Sequence, residues 1–262
     1  MKINAKRIRL FRLMHAVIAR SSPVRRRFCI ACGYSVGWFL PYKGGWKNAP
    51  PLVRALDMVG SDLDHFECPA CGASDRDRHL LLYIEAAGIL SAIKGKTVVH
   101  FAPESAIKRK IEQTAPARYI RCDLFPRQEA VERVDILAMP FANASVDLLI
   151  ANHVLEHVAD DLRAVAEIRR VLKPGGLAIM QTPYCAKLHT TWRDDGIDDD
   201  QARLQAYGQE DHVRLYGLDI VQRFTASGLE SRVGKHRELL PDRDPITNGV
   251  NEAEPFLLFA CP

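Results

Sequence analysis

Residues 96–111 read KTVVHFAPESAIKRKI and contain the unit from which the fold is built. The apolar run Thr97–Phe101 predicts a buried strand, and the spacing of Ile107 and Ile111 predicts a helix after a tight polar turn. Such strand–turn–helix units hold nucleotide-like cofactors, and their turns normally carry glycines that let the backbone approach the ligand. Residues 102–105 are Ala-Pro-Glu-Ser, so the sequence predicts either a turn without a cofactor or a cofactor turn built by other means.

Strands and helices alternate along the chain after residue 96. This order predicts an α/β domain with a doubly wound, mostly parallel sheet, in which ligands bind at the carboxyl ends of the strands. The predicted strands are TVVHFAP, ARYIRCDLF, SVDLLIANHV and LAIMQTPY, and the predicted helices are SAIKRKIEQ and DDLRAVAEIRRVL, the second ended by KPGG. The buried face of that second helix is predicted to consist of Leu162, Val165, Ile168, Val171 and Leu172.

Four of the seven cysteines form two CxxC pairs, each followed directly by glycine. This spacing lets two thiolates from each pair point at one ion, so the sequence predicts a structural, four-thiolate Zn²⁺ site. Two pairs of free thiols, or redox-active pairs, are the alternative. The predicted zinc ligands are Cys29, Cys32, Cys68 and Cys71.

The net charge of +4 comes from the N-terminus, because residues 1–27 hold nine of the 36 Lys and Arg residues and no acid. The arm is a candidate for peripheral contact with an anionic membrane or with a phosphate-rich partner, or it is simply a solvated terminus. No secretory signal and no run of the roughly 18 apolar residues of a membrane span is present. A cytoplasmic protein is therefore expected, with the inner membrane face as the candidate site of contact.

A four-part organisation follows from these features. Arg76, Arg78 and His79, at the start of the helix after the second cysteine pair, are candidates for binding an anion or are ordinary surface charges. The predicted parts are the basic arm 1–27, a zinc-ribbon-like module 28–75, a connecting helix 76–95 and the α/β domain 96–262.

The stretch from 135 to 184, with NHVLEHV at the end of a strand and LKPGG before the next, resembles the class I S-adenosylmethionine-dependent methyltransferases. The resemblance covers about residues 96–262 and implies a seven-stranded, Rossmann-like sheet and S-adenosylmethionine as cofactor. With its CxxCG pairs, SDRDRH, HFAPE and YGQEDHVRLYG, the whole chain resembles an uncharacterised bacterial subgroup. That closer resemblance names no substrate.

The resemblance also gives the turn after residue 101 a candidate role. His100 falls where the family usually has an acid, and Ala102, Glu104 and Ala106 fall on the three glycines of its first motif. The Glu104 carboxylate is expected to hold the ammonium group of the cofactor, while Pro103 fixes the turn. A turn that has lost its ligand is the alternative.

Further cofactor contacts are implied by the resemblance. Asp123 is placed to accept both ribose hydroxyls, and Asp135 with Ile136 to contact the adenine. Asn152 and His153 are expected to face the transferable methyl group.

The same segment also fits H-x-x-E-H, the inverted zinc-protease signature, through His153, Glu156 and His157. That motif needs both histidines on one helix, whereas here the first follows directly on a predicted strand. The sequence therefore argues against a metalloprotease and predicts a packing or hydrogen-bonding role for His157.

The catalytic candidates for a hydroxyl acceptor are His212 and His153, because histidine moves protons near neutral pH. For His212 three roles stay open: catalyst, substrate contact, or a loop hydrogen bond. For His153, positioning the cofactor is preferred over base catalysis. Residues 190–205 predict a mobile acidic cover, and Tyr184 is a candidate wall of the acceptor pocket.

Three functions are therefore weighed. The first is methyl transfer to an oxygen of a small molecule or glycan, which suits an acidic cover with its histidine. The second is RNA methylation, which suits the zinc module and the basic arm. The third is a non-catalytic binding protein with a degenerate cofactor site. The sequence carries no signal for the oligomeric state.

Overall fold

The computed structural model describes residues 14, 17, 18, 24 and 26–262. Most of the basic arm predicted over residues 1–27, and with it the arm's predicted contacts, lies outside the described residues. In the described part of the chain, no helix is long and apolar enough to cross a membrane.

Eleven strands, nine α-helices and two 3₁₀-helices, Trp46–Asn48 and Leu155–His157, make up the described elements. The strands are β1 Arg27–Cys29, β2 Tyr34–Val36, β3 Met58–Val59, β4 Thr97–Phe101, β5 Arg118–Asp123, β6 Glu132–Arg133, β7 Val146–Ala151, β8 Leu172–Ile179, β9 Tyr184–Cys185, β10 Glu230–Ser231 and β11 Leu258–Ala260. The helices are α1 Pro51–Ala55, α2 Asp75–Ala86, α3 Ile89–Ala92, α4 Ser105–Gln113, α5 Asp161–Val171, α6 Asp200–Tyr207, α7 Ile220–Thr225, α8 His236–Leu239 and α9 Pro245–Asn248.

The central sheet has seven strands in the order β10-β11-β8-β7-β4-β5-β6. Strands β6, β5, β4, β7 and β8 pair in parallel, whereas β11 is antiparallel to β8 and to β10. The predicted α/β fold with a doubly wound, mostly parallel, seven-stranded sheet is confirmed. The strand order reverses between β4 and β7, so the crevice at their carboxyl ends is where such a sheet binds ligands.

Apolar side chains cover both faces of this sheet. On one face Val99 and Leu149 pack in a cluster with Ile168 of α5, and on the other Val98 and Leu148 pack with α2 and α4. Parallel strands are buried on both sides in this way, which explains why β4 and β7 are mostly apolar, with His100 and Asp147 as the charged or titratable exceptions. Burial on both faces makes the carboxyl ends of these strands a rigid support for a site.

The structure corrects two details of the segment between β7 and β8. Leu162 is 44% exposed and lies outside the apolar face of α5, whereas Val165 and Ile168 are buried as predicted. KPGG does not end the helix as a loop: α5 stops at Val171, and KPGG lies within β8. Leu172 is already extended, and the pairing of β7 with β8 shifts register between Val146 and Leu148, which accommodates the bulge.

The N-terminal cysteine-containing segment is a small module built on the hairpin of β1 and β2. It joins the main sheet region through β3, which pairs antiparallel with β9. Between them, Val53 of α1 packs against Tyr207 and Leu215 of the larger domain. The module and the domain therefore share a continuous packed boundary.

Arg78 is the charged residue at the centre of this boundary. Its side chain is completely buried, with the guanidinium 3.8 Å from the centre of the Phe39 ring. All five N–H groups of the guanidinium donate to backbone carbonyls over 2.6–3.1 Å. The acceptors are His65, Phe66, Ala73, Asn248 and Gly249.

The burial of this helix start rules out both roles that the sequence left open for Arg78 and His79. His79 is 1% exposed and pairs with Glu254 at 3.1 Å and with His236 at 2.9 Å. Arg78 and His79 are therefore internal structural residues rather than surface charges or free anion ligands. Arg76, by contrast, faces a cavity described below.

We expect Arg78→Lys to lower the free energy of unfolding by about 3 kcal/mol or more, because one ammonium cannot serve five carbonyls and buried acceptors lose their partners. Urea denaturation of the variant, beside wild type and the exposed-helix control Arg109→Lys, measures this change. Equal denaturation midpoints for both variants would contradict the role assigned to Arg78.

Candidate active site

The turn after β4 takes the backbone shape of a glycine turn without a glycine. Ala102 has φ +47°, in the left-handed region that L-residues rarely adopt, and its N–H donates to the Cys122 carbonyl of β5 at 2.8 Å. The chain then extends through Glu104, and α4 begins at Ser105. The chain therefore tolerates backbone strain at a residue that faces the switch point of the sheet.

Glu104 is anchored at this turn by two side chains. His100 Nε2 lies 2.9 Å from Glu104 Oε2, and Asn152 Nδ2 donates to Glu104 Oε1 at 2.5 Å. Burial alone would raise the pKa of Glu104, but the hydrogen bonds from His100 and Asn152 and the charge of His100 lower it overall. The carboxylate is thus held ionised, with 21% of its side chain still exposed for a further partner.

His100 supports this carboxylate from behind. Its side chain is completely buried, and its Nδ1 pairs with the Tyr119 hydroxyl at 2.9 Å. His100, predicted to lie at the cofactor, can therefore act on a ligand only through Glu104. The sequence placed the two residues four apart, but it gave no sign that Asn152 would bind the other carboxylate oxygen.

The other predicted cofactor residues lie along the same edge of the sheet. Asp123 is the last residue of β5, next to the turn, and its Oδ1 accepts from Phe125 N–H at 2.8 Å. Asp135 is exposed and accepts from Leu137 N–H at 2.9 Å, while Ile136 is 5% exposed. Both carboxylates therefore shape their own turns, and each turn hydrogen bond uses only one of the two carboxylate oxygens.

His153 follows Asn152 at the end of β7 and has φ +52°, again in the left-handed region. Its N–H donates to the Gln181 carbonyl at 2.8 Å, and its Nδ1 lies 3.1 Å from Glu156 Oε1. Burial and the charge of Arg76 lower the pKa of His153, but the hydrogen bond with Glu156 and the Glu254 carboxylate 3.8 Å away raise it overall. The ring is therefore held towards its protonated form between two carboxylates.

A cavity of about 280 Å³ opens beside His153. Its wall combines the segment between the two cysteine pairs with the larger domain, so the module contributes directly to the site. The residues that line it include Tyr42, Lys43, Val53, Met58, Ser61, Arg76, His153, Pro183, Leu204, Gln205 and His212.

The structure modifies two expectations about this cavity. Tyr184 pairs with Val59 in the β9–β3 ladder and lines a different hollow, whereas its neighbour Pro183 lines the cavity. The predicted acidic cover over 190–205 is packed rather than loose, because the ring of Trp192 lies against that of Tyr207 with centroids 5.4 Å apart.

The HVLEH segment does not form the helix of a zinc protease. Leu155–His157 is a single turn of 3₁₀-helix directly after β7. Glu156 and His157 instead meet His212, and one potential ligand atom from each lies within 4.8 Å of the others. Sequence reasoning missed this group because nothing in the spacing indicates that residues 156 and 212 are neighbours.

The four predicted zinc ligands converge. Sγ of Cys29 lies 3.8 Å from Sγ of Cys71, and Sγ of Cys32 lies 4.0 Å from Sγ of Cys68. A tetrahedral ion with Zn–S bonds of about 2.3 Å separates its sulfurs by about 3.8 Å. The cluster therefore has the donor set and the dimensions of a four-thiolate zinc centre.

A family model described as a methyltransferase domain matches residues 96–180. This span runs from β4 through β8 and includes the Glu104 turn and the HVLEH segment. Residues 96–180 are a class I S-adenosylmethionine-dependent methyltransferase domain. The methyltransferase domain thus supplies the anchored carboxylate and, through His153, part of the cavity wall; the cysteine module and residues between 183 and 212 supply most of the rest.

Known relatives match parts of the chain. An uncharacterized methyltransferase of Mycobacterium leprae is 30% identical over 133 residues, which are 51% of this chain and 38% of that protein. An uncharacterized 37.1 kDa protein in transposon TN4556 of Streptomyces fradiae is 47% identical over 53 residues, 20% of this chain and 15% of that protein. The chain thus spans less than half the length of these curated relatives.

Among solved structures, this chain is similar to a chain of the complex between the Haloferax volcanii Trm112 methyltransferase activator and a methyltransferase. The match covers 71% of this chain and 94% of that one, with 16% identity and a TM-score of 0.46.

We expect Ala102→Gly to raise the free energy of unfolding by roughly 0.5–1 kcal/mol, because glycine relieves the left-handed strain at some cost in chain entropy. Ala106→Gly, at another glycine position of the motif but inside α4, should lower it by about 1 kcal/mol. Thermal or urea denaturation of both variants measures the sign of each change in the free energy of unfolding. A loss of stability in Ala102→Gly would contradict the strain assigned to this turn.

Proposed function

We propose that the protein transfers a methyl group from S-adenosylmethionine to an oxygen of a small molecule or glycan held in the cavity. The observation that carries this proposal is the ionised Glu104 carboxylate, fixed by His100 and Asn152 at the switch point of a methyltransferase sheet. Bound S-adenosylmethionine would supply a methyl group activated on a sulfonium, and the protein would hold both reactants in line.

The chain's own residues divide this task. Glu104 would bind the ammonium group of the cofactor by a charge-assisted hydrogen bond, which replaces the close backbone approach of a glycine turn. Asp123 would accept the ribose hydroxyls, and Asp135 with Ile136 would contact the adenine. These contacts would direct the methyl group towards the carboxyl end of β7 and the adjoining cavity.

The cavity favours a small acceptor. Its volume of about 280 Å³ suits a sugar-sized or smaller group, and its polar wall residues Arg76, His153 and His212 suit an oxygen-bearing one. RNA methylation would require a nucleotide to enter the same cavity, and no described residue favours it over a free small molecule. The acceptor therefore is proposed as a small molecule or a glycan.

The cysteine cluster is proposed as a structural Zn²⁺ site. The four thiolates close the coordination sphere, so the ion would brace the module rather than bind substrate. We accordingly propose the organisation of a zinc module over 28–75, a connecting helical segment over 76–95 and the methyltransferase domain over 96–262. The ion would act on the site indirectly, by holding the cavity wall that the module supplies.

Glu104→Gln should weaken S-adenosylmethionine binding by about 10- to 100-fold, because the neutral amide loses the charged contact with the ammonium group. Calorimetric titration with S-adenosylmethionine and with S-adenosylhomocysteine measures it. The matched control is Glu112→Gln on the same helix, whose carboxylate faces Arg121 at the surface.

Unchanged binding in Glu104→Gln would show that the cofactor does not use this turn. Failure of the wild-type protein to bind either nucleoside would refute methyl transfer itself and favour a binding protein with a degenerate cofactor site.

The zinc content should fall by one atom per chain in Cys71→Ser, with lower stability of the module, because three thiolates leave the site open. Elemental analysis of purified protein measures the change, and Cys261→Ser, a buried cysteine outside the cluster, is the control. Equal zinc contents in the two variants would refute the assignment.

A further inference from the structure

The Glu156–His157–His212 group has chemistry that the proposed binding of the cofactor does not use. Its first two residues lie in the 3₁₀ turn after β7, and His212 belongs to the segment that follows α6. One potential ligand atom from each lies within 4.8 Å of the others. Because His212 also lines the acceptor cavity, the group lies at the cavity wall.

Two of these side chains present buried acceptor atoms with no donor. Among the described residues, Glu156 Oε2 and His212 Nε2 have no hydrogen-bond partner. Their residues are only 1% and 2% exposed. Native proteins rarely leave a buried acceptor unpaired, because it loses its hydration without compensation.

The protonation of both groups directs lone pairs into the cluster. His212 Nδ1 lies 3.0 Å from the Tyr207 carbonyl, which can only accept, so Nδ1 carries the hydrogen and Nε2 a lone pair. Glu156 Oε1 lies 3.1 Å from Nδ1 of His153, whereas Glu156 Oε2 has no donor among the described residues. A carboxylate oxygen and an imidazole lone pair therefore share one small buried space.

His157 completes the arrangement. Its Nδ1 lies 3.3 Å from the backbone oxygen of Asp211 and 3.3 Å from the Asp211 carboxylate, and both are acceptors. Nδ1 therefore donates, and Nε2 keeps its lone pair. In a metal-binding histidine, the ring nitrogen that does not face the metal usually donates to a carbonyl or a carboxylate. Nδ1 makes such a hydrogen bond in both His157 and His212.

We propose that Glu156, His157 and His212 bind one divalent first-row transition-metal cation at the wall of the acceptor cavity. Two imidazoles and one carboxylate suit ions of the Mn²⁺-to-Zn²⁺ series. Three protein ligands leave coordination positions open, as in catalytic rather than structural metal sites. This site is separate from the cysteine cluster, which has a closed set of four thiolates.

The proposed role of the cation in activating the acceptor rests on the proposed function, whereas the binding of the cation to the protein does not. With its Nε2 lone pair on the cation and its Nδ1 hydrogen on the Tyr207 carbonyl, His212 cannot take a hydroxyl proton. A bound cation lowers the pKa of a hydroxyl, so its proton can pass to water. The methyl–sulfur bond then breaks as the methyl–oxygen bond forms, and the sulfonium leaves as a neutral thioether. The acceptor class is therefore an alcohol or a phenol.

Mn²⁺ titration followed by electron paramagnetic resonance tests the site in full-length protein without S-adenosylmethionine, supplied with one zinc per chain for the cysteine cluster and freed of excess zinc. Mn²⁺ prefers oxygen and nitrogen to thiolate ligands, so the cysteine cluster does not compete. Wild-type protein should bind one Mn²⁺ per chain, and Glu156→Gln and His157→Gln should weaken binding by about 100-fold or more. His65→Gln, which alters a surface histidine paired with Asp62, should bind as wild type does.

Absence of Mn²⁺ binding to the wild-type protein, or equal binding by His157→Gln, would overturn the proposal. His157 is 32% exposed, so its variant should fold, which the melting temperature checks. The cofactor titration separates this inference from the proposed function. Mn²⁺ binding without S-adenosylmethionine binding would refute methyl transfer and leave the metal site intact.

Discussion

The guanidinium of Arg78 joins α2 and the cysteine module to a C-terminal segment about 170 residues further along the chain. Three of its N–H groups donate to carbonyls of the module just before α2, and two donate to the last residue of α9 and to the glycine after it. Gly249 must approach closely, because a Cβ there would lie 2.2 Å from the Phe39 ring that covers the guanidinium. The module, the helix and the C-terminal segment are therefore fixed relative to one another by one buried charge.

The site depends on that arrangement. Buried Glu254, in the same C-terminal segment, pairs with His79 of α2, lies 3.8 Å from His153 and accepts from Gln181 after β8. The helix that carries Arg78 is thus linked to the end of β7, where the candidate site begins. Polar groups in an apolar boundary cost free energy unless all are paired, so these contacts specify one docking geometry. The cavity keeps its shape because this network of hydrogen bonds and ion pairs fixes both of its walls.

The sequence was sufficient to predict the central strands, because burial on both faces of the sheet requires mostly apolar runs such as those of β4 and β7. It was also sufficient to predict that the four cysteines converge, because each CxxC pair is a local motif. It was insufficient where contacts are made between distant segments: the Asn152–Glu104 bond, the meeting of His212 with Glu156, and the burial of Arg78 have no signature in any short window. The sequence did not predict the bulge at KPGG, because proline and glycine usually end helices and strands. Here pairing with β7 extends strand β8 through them.

The order in which the chain is made gives the Arg78 network a further consequence. A ribosome delivers the cysteine module and α2 before the carbonyls of Asn248 and Gly249, which follow Arg78 by 170 and 171 residues. Until then the guanidinium has only three of its five partners, and the charge must stay hydrated at an open boundary. The cavity wall supplied by the module can therefore reach its final position only after residues 248 and 249 have been made, so folding of the module boundary depends on the chain that follows it.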